Sequence, residues 1–197
     1  MTRRQLRVAV IIGSVRDGRF GPVVSRWFAQ QAEGHGDFDV DVIDLAEADL
    51  PMVLPAFGSS PAPETLAAVQ SVSTRLAEAD AFVVVTPEYN HSYPASLKNV
   101  IDWHNAQWHA KPVAFVAYGG LSGGLRAVEH LRQVFAELHA VTVRDTVSFH
   151  GAWSQFDEEG NPKDPDAVNA AAKTMLDQLG WWSLALREAR DKRPYRT

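Results

Sequence analysis

Ala81-Phe82-Val83-Val84-Val85-Thr86-Pro87-Glu88-Tyr89-Asn90-His91-Ser92-Tyr93-Pro94-Ala95-Ser96-Leu97 changes character twice. Its first five residues are an unbroken apolar run rich in β-branched side chains. That is the pattern of a strand buried on both faces. From Ala95 to Trp103 the pattern is helical. Between the two lies a polar loop, at the carboxyl end of a buried parallel strand, where open α/β sheets bind ligands. The loop carries a flat aromatic, an amide, a carboxylate and stiffening prolines. This mixture suits a planar, heteroatom-rich ring; an ordinary strand-to-helix connection has the same outline.

The same grammar occurs upstream. Leu6 to Ile12 is a continuous apolar run and predicts a central strand. Gly13-Ser14-Val15-Arg16-Asp17-Gly18-Arg19-Phe20-Gly21 follows, and Pro22 opens a helix with Val23, Val24, Trp27, Phe28 and Gln31 on one face. The loop is no P-loop, because Arg19-Phe20 follows Gly18, and no dinucleotide fingerprint, because Gly13 is followed by Ser14-Val15. A hydroxyl, two guanidiniums and a helix N-terminus remain. Together they favour an anion, and Arg16 and Arg19 can each grip a phosphate in bidentate fashion. A single phosphate fits better than a pyrophosphate. The alternative is a plain loop with solvated arginines.

Downstream, Phe38 to Asp44 alternates Phe38, Val40 and Val42 with aspartates, as a half-exposed edge strand does. Residues 46–63 are rich in Pro and Gly and predict an ordered loop. Leu66, Val69, Ser73 and Leu76 mark the next helix face. Leu97, Val100, Ile101, His104 and Trp108 form one stripe. Pro112 to Ala117 is another strand, ending in Tyr118-Gly119-Gly120-Leu121-Ser122-Gly123-Gly124. Four glycines there let backbone N–H groups approach a ligand, and Ser122 is a candidate helix cap. Leu125, Val128, Leu131, Phe135 and Leu138 line the helix behind. Val141 to Phe149 is the last strand. Trp153 to Pro165 is a polar excursion, and the final helix shows Val168, Ala171, Ala172, Met175, Leu179 and Trp182. Residues 1–186 thus read as one domain, and 187–197 as a basic tail, solvated, frayed or in contact with another subunit.

Five strands alternating with helices demand a parallel sheet covered on both faces. The ligand-ready loops follow the first, third and fourth strands. A flavodoxin-like three-layer α/β/α sandwich, with strands in the order 2-1-3-4-5, sets all three on one crevice. An anion loop beside two ring-bracketing loops describes a monophosphate joined to a heterocycle, which is FMN.

Bulk composition narrows the class. The 197 residues are 46% hydrophobic, enough for one full core. A net charge of −5 argues against a nucleic-acid or anionic-membrane binder. There is no Cys, which excludes disulfides and thiolate chemistry. None of the histidines has metal spacing, no His-Glu-x-x-His occurs, and no apolar stretch spans a bilayer. A soluble cytoplasmic protein is the default expectation. His104, His130 and His139 read as packing or surface residues.

Gly13-Ser14-x-Arg16, then Pro87-Glu88-Tyr89-Asn90 running into Pro94-x-x-Leu97-Lys98-Asn99-x-Ile101-Asp102-Trp103, then Gly120-x-Ser122-Gly123-Gly124, resembles the NADPH-dependent FMN reductase family. Its relatives include quinone, chromate and azo-dye reductases. The resemblance covers nearly the whole chain. It implies tightly bound FMN, NADPH or NADH as donor, a small-molecule acceptor, and a homodimer or homotetramer. By position, Ser14, Arg16 and the backbone of Arg19, Phe20 and Gly21 would hold the phosphate. Pro87, Glu88, Tyr89 and Asn90 would line the isoalloxazine, and Ser122, Gly123 and Gly124 would meet its far edge. Many members carry Ser, an aromatic and Asn where this chain has Arg19-Phe20-Gly21. Either Arg19 replaces the hydroxyl as an anion contact or it points to solvent.

The resulting expectation is an NAD(P)H-dependent reductase working by ping-pong, with no protein residue as nucleophile, acid or base. A flavodoxin-type electron carrier docking a protein partner is the alternative. A hydrolase is disfavoured, since Gly120-Leu121-Ser122-Gly123-Gly124 lacks the Gly-x-Ser-x-Gly spacing.

Overall fold

A computed structural model describes residues 4–196. Its centre is a five-stranded, all-parallel sheet in the order β2-β1-β3-β4-β5. The strands are β1 (Leu6–Ile12), β2 (Phe38–Asp44), β3 (Ala81–Pro87), β4 (Pro112–Gly119) and β5 (Val141–His150). Helices α1 (Gly21–His35), α2 (Pro63–Glu78), α3 (Ala95–Trp103) and α4 (Leu125–Glu137) make the crossovers. The short α5 (Ala152–Gln155) and the long α6 (Pro165–Lys192) end the chain. The expected flavodoxin-like order is the one found.

Alternation in the strands builds two cores. Val8, Val10, Val83, Val85, Ala114 and Val116 face Val24, Phe28, Met175 and Leu179 of α1 and α6. Ala9, Ile11, Phe82, Val84, Val113 and Phe115 face Leu76, Leu97, Ile101, Leu131 and Phe135 of α2, α3 and α4. Central strands therefore read as continuous apolar runs, because both sides are covered. Each Val, Leu, Ile, Phe or Met among them contributes about 1.5–3 kcal/mol relative to exposure. No described helix is long and apolar enough to cross a membrane.

Several boundaries differ from expectation. β3 includes Thr86 and Pro87, and β4 includes Tyr118 and Gly119, because the two strands stay in register through Thr86↔Ala117 and Pro87↔Tyr118. In edge strand β2, Ile43 is buried and Val42 is 40% exposed, so the simple alternation fails near its end. On α2, Val72 and Leu76 pack while Leu66 is exposed. Ser122 is not the cap of α4: Gly124 holds that position and has no side chain to cap with. The loop at 46–62 is tied to α3 by Asn99 Nδ2 donating to Leu50 O (3.1 Å) and Trp103 Nε1 donating to Pro51 O (2.8 Å). His104 and Trp108 of the expected stripe are buried just beyond α3.

The chain from Arg187, expected as a tail, stays helical to Lys192. Arg187 Nη1 donates to Asp80 Oδ2 (3.1 Å), and Arg190 Nη2 lies 3.7 Å from Oδ1. A carboxylate at the amino edge of the sheet thus draws the basic segment down onto it.

Candidate functional site

Three loop tips meet over the carboxyl edge of β1, β3 and β4. Gly13 N donates to Val85 O (2.9 Å), and Gly13 O accepts from Ser96 Oγ (2.6 Å). The first loop is thereby fastened to β3 and to α3. A Cβ at Gly13 would stand 3.3 Å from Val85 O, tight enough to favour glycine. Buried Ser14 sets its Oγ 2.7 Å from the Tyr89 hydroxyl, joining the first loop to the third.

The two arginines part company. Arg19 donates through Nη1 to Ser14 O (3.0 Å) and through both Nη atoms to the Asp44 carboxylate (Nη2 to Oδ2, 2.7 Å). The Asp44 hydrogen bond raises the guanidinium's pKa against burial. Burial pushes Asp44 up, but Arg19 and the Ala46 amide outweigh it and hold the carboxyl low. Arg19 therefore braces the loop against β2 through Asp44, a partner that neither expected role, anion contact nor solvent, had supplied. Arg16 is exposed, and its guanidinium has no partner among the described residues. Phe20 turns inward, edge-on to Tyr118 (6.1 Å) and Phe156 (5.3 Å). It is the N-cap residue of α1, and no side chain caps that helix.

In the third loop, Tyr89 and Ser92 exchange backbone hydrogen bonds (2.8 and 3.1 Å) around Asn90 (φ 48°) and His91 (φ 76°). Two successive left-handed residues make the tight hairpin turn usually written Asn-Gly. Asn and His tolerate that region better than most side chains. The turn holds Asn90 and His91 in the open, while Pro87 is buried as the last residue of β3. Ser92 Oγ lies 2.9 Å from His130 Nδ1.

Glu88 couples the third loop to the fourth. Its carboxylate accepts from Arg126 N (3.1 Å) and Arg126 Nη1 (3.1 Å) at the start of α4. Burial raises its pKa, but the Ser122 hydroxyl and Arg126 more than offset that and leave it below the usual range. A carboxylate at a helix N-terminus is also favoured by the helix dipole.

The glycines of the fourth loop serve different ends. Gly123 (φ 59°) and Gly124 (φ 86°) are left-handed, and added Cβ atoms would meet Ser148 Oγ at 2.5 Å and Ala117 Cβ at 2.7 Å. Packing explains both. Gly120 has ordinary φ, is exposed, and has open space where its Cβ would be. Nothing in the fold requires it. Sequence reasoning missed the supports of this loop: Ser148 Oγ donates to Gly123 O (2.9 Å), and His150 Nδ1 lies 3.0 Å from Leu121 O. Their signal was a polar pair at alternate positions at the end of β5. Gly124→Ala should cost about 2 kcal/mol from left-handed strain and overpacking, measured by thermal melting.

Beside the first loop is a cavity of about 250 Å³ lined by Val15, Ala46, Leu50, Met52, Ser96 and Asn99. A larger open groove of about 810 Å³ lies between α1 and α6, lined by Gln31, His35, Lys173 and Asp177. It adjoins the carboxyl-terminal half of α1, away from the loop tips. We assign function to the loops, where polar groups of three elements converge.

Comparison with known proteins bears on this arrangement. An NAD(P)H-dependent FMN reductase of Schizosaccharomyces pombe is 37% identical over 122 residues, 60% of either chain. A probable NADPH:quinone oxidoreductase of Oryza sativa is 32% identical over 93% of this chain and 91% of its own. The fold matches that of FerB, a flavoenzyme NAD(P)H:acceptor oxidoreductase of Paracoccus denitrificans, with TM-score 0.70 and 24% identity over 91% of this chain and 98% of that one. Residues 6–154, which contain all three loops, match the model of the NADPH-dependent FMN reductases, and the chain belongs to that family.

Proposed function

We propose that the protein is an NAD(P)H-dependent flavin reductase that holds FMN at its three loop tips. Its acceptor is a small molecule: a quinone, azo compound, metal oxyanion or free FMN. The observation that carries this reading is the linkage of the loops, Ser14 to Tyr89 at 2.7 Å and Glu88 to Arg126 at 3.1 Å. A crevice cross-tied this way is preorganised, so little ordering remains when a ligand enters. When bound, FMN supplies the two-electron chemistry, and the protein supplies binding and orientation.

The residues divide the work. Ser14, Arg16 and the uncapped α1 N-terminus, with the backbone of Arg19, Phe20 and Gly21, take the phosphate. Pro87, Glu88, Tyr89 and Asn90 shape one side of the ring cleft. Gly120, Ser122, Gly123 and Gly124 shape the other, where amides favour charge gathering on the ring edge. Donor and acceptor occupy the same open face in turn. No side chain is required as nucleophile, acid or base. A homodimer or homotetramer belongs to this reading, to be checked by sedimentation.

Anaerobic mixing with NADPH or NADH tests it. The yellow protein should bleach within seconds and recover its colour when a quinone is added. A protein that stays oxidised for minutes with either donor would be an electron carrier instead. Arg16→Ala should weaken FMN binding by about 2 kcal/mol, the worth of a charge-assisted hydrogen bond, in a fluorescence titration.

A further inference from the structure

Tyr118 carries an anomaly. The residue is 4% exposed, and its hydroxyl has no hydrogen-bond partner. A buried, unpaired hydroxyl is costly, and native interiors rarely keep one without a reason. This one lies under the first loop. A Cβ on Gly21, the first residue of α1, would come within 2.9 Å of it. The Ser14 hydroxyl is near enough to lower the phenol's pKa as a hydrogen-bonding neighbour, though no bond between them meets ordinary geometry, and Tyr89 and Arg19 act on it through charge. Burial pushes the phenol's pKa far above its ordinary value, so the group is an O–H donor throughout the physiological range.

Ser14 and Tyr89 bring two hydroxyls together at 2.7 Å, and Tyr118 brings a third beneath Gly21 of the same loop. Ser14 and Tyr89 share one bond, the Arg16 amide reaches Ser14 Oγ only at 3.5 Å, and the Tyr118 proton has no acceptor in ordinary geometry. A serine oxygen has two lone pairs and one proton. If Ser14 gives its proton to an anion in the loop, its oxygen can accept from Tyr89 and Tyr118 at once, provided the long Arg16 amide contact (3.5 Å) turns to the anion as well. Every hydroxyl is then satisfied, and the terminal acceptor is the anion. Aligned hydroxyls of this kind polarise one another, which strengthens the last bond in the chain.

We propose that Tyr118 is a positioning residue that turns the Ser14 hydroxyl toward phosphate and so lets the site distinguish FMN from riboflavin. The inference rests on the flavin-binding reading above. Its effect is confined to the phosphate, because the hydroxyl acts through Ser14, whereas the contacts of Tyr118 with Glu88 and Pro87 are made by its backbone.

Tyr118→Phe removes one oxygen and keeps the shape. Ligand-free protein, wild type and variant, is titrated with FMN and with riboflavin. The variant should bind FMN about tenfold more weakly, a loss of about 1.4 kcal/mol, and riboflavin unchanged. In a Ser14→Ala background the same change should have no further effect on FMN. The melting temperature of ligand-free Tyr118→Phe should equal or exceed that of the wild type, since an unsatisfied group is gone. Unchanged FMN affinity, an equal loss for both flavins, or a full loss that persists without Ser14 would each overturn the assignment. A wild type that binds neither flavin would overturn the flavin reading itself, and this assignment with it.

Discussion

Asp80→Ala is expected to lower the free energy of unfolding by about 3–5 kcal/mol, because removing one member of a buried charge cluster leaves the others uncompensated. The Asp80 side chain is 9% exposed and faces Arg187 at 3.1 Å and Arg190 at 3.7 Å. Its Oδ2 also accepts from the backbone amide of Arg7 (3.1 Å). Two guanidiniums and an amide would lose their acceptor together. The Arg187 and Arg190 side chains are 19% and 22% exposed, so water can reach them in part, and the lower end of the range is the better estimate. Urea denaturation should show a lower midpoint at an unchanged slope. FMN affinity should not move, since the cluster sits at the opposite edge of the sheet from the loops. A loss below about 1 kcal/mol would mean that the end of α6 is held by something else.

The second large effect concerns pH. Lys111 is 7% exposed and donates from Nζ to Leu76 O (2.8 Å) and Ala77 O (2.9 Å), carbonyls of the last turn of α2. Burial and the charge of Arg190 lower its pKa from 10.5 to about 8, against the pull of Asp80. Two carbonyls match the two donors of a neutral amine, so deprotonation forfeits neither bond. Between pH 8 and 10.5 the unfolded chain keeps the proton that the folded chain has released. Raising the pH through this window therefore favours the fold, and lowering it through 8 removes the gain. The stability difference between wild type and Lys111→Met should grow by about 3 kcal/mol over that window. A difference that stays flat from pH 7 to 10.5 would show that Lys111 is charged in the fold throughout.

Strand order and the meeting of the loops were legible because they follow from long-range consistency. Apolar runs at Leu6–Ile12 and Ala81–Val85 fix buried parallel strands, and only one order brings their loops together. What the sequence hides is pairwise. Arg19 looks like an anion ligand until Asp44, 25 residues away, claims it. A basic stretch after Arg187 looks solvated until Asp80, 107 residues upstream, is found beneath it. Glycine is ambiguous for another reason: the same letter serves the left-handed turn at Gly124 and the open position at Gly120. Tyr118 escaped notice because an aromatic followed by two glycines reads as the start of a loop, whereas ladder pairing with β3 continues through it.

The junction between Asp80 and α6 also bears on biosynthesis. Proteins are made amino end first, so every residue of the three loops has been translated well before Arg187 emerges. While the end of α6 is still inside the ribosome, the nascent chain holds an aspartate at the foot of its sheet without its two arginines. Emergence of Arg187 and Arg190 is thus the event that locks the scaffold. A premature stop codon just before Arg187 would yield a chain with all its loops and no latch.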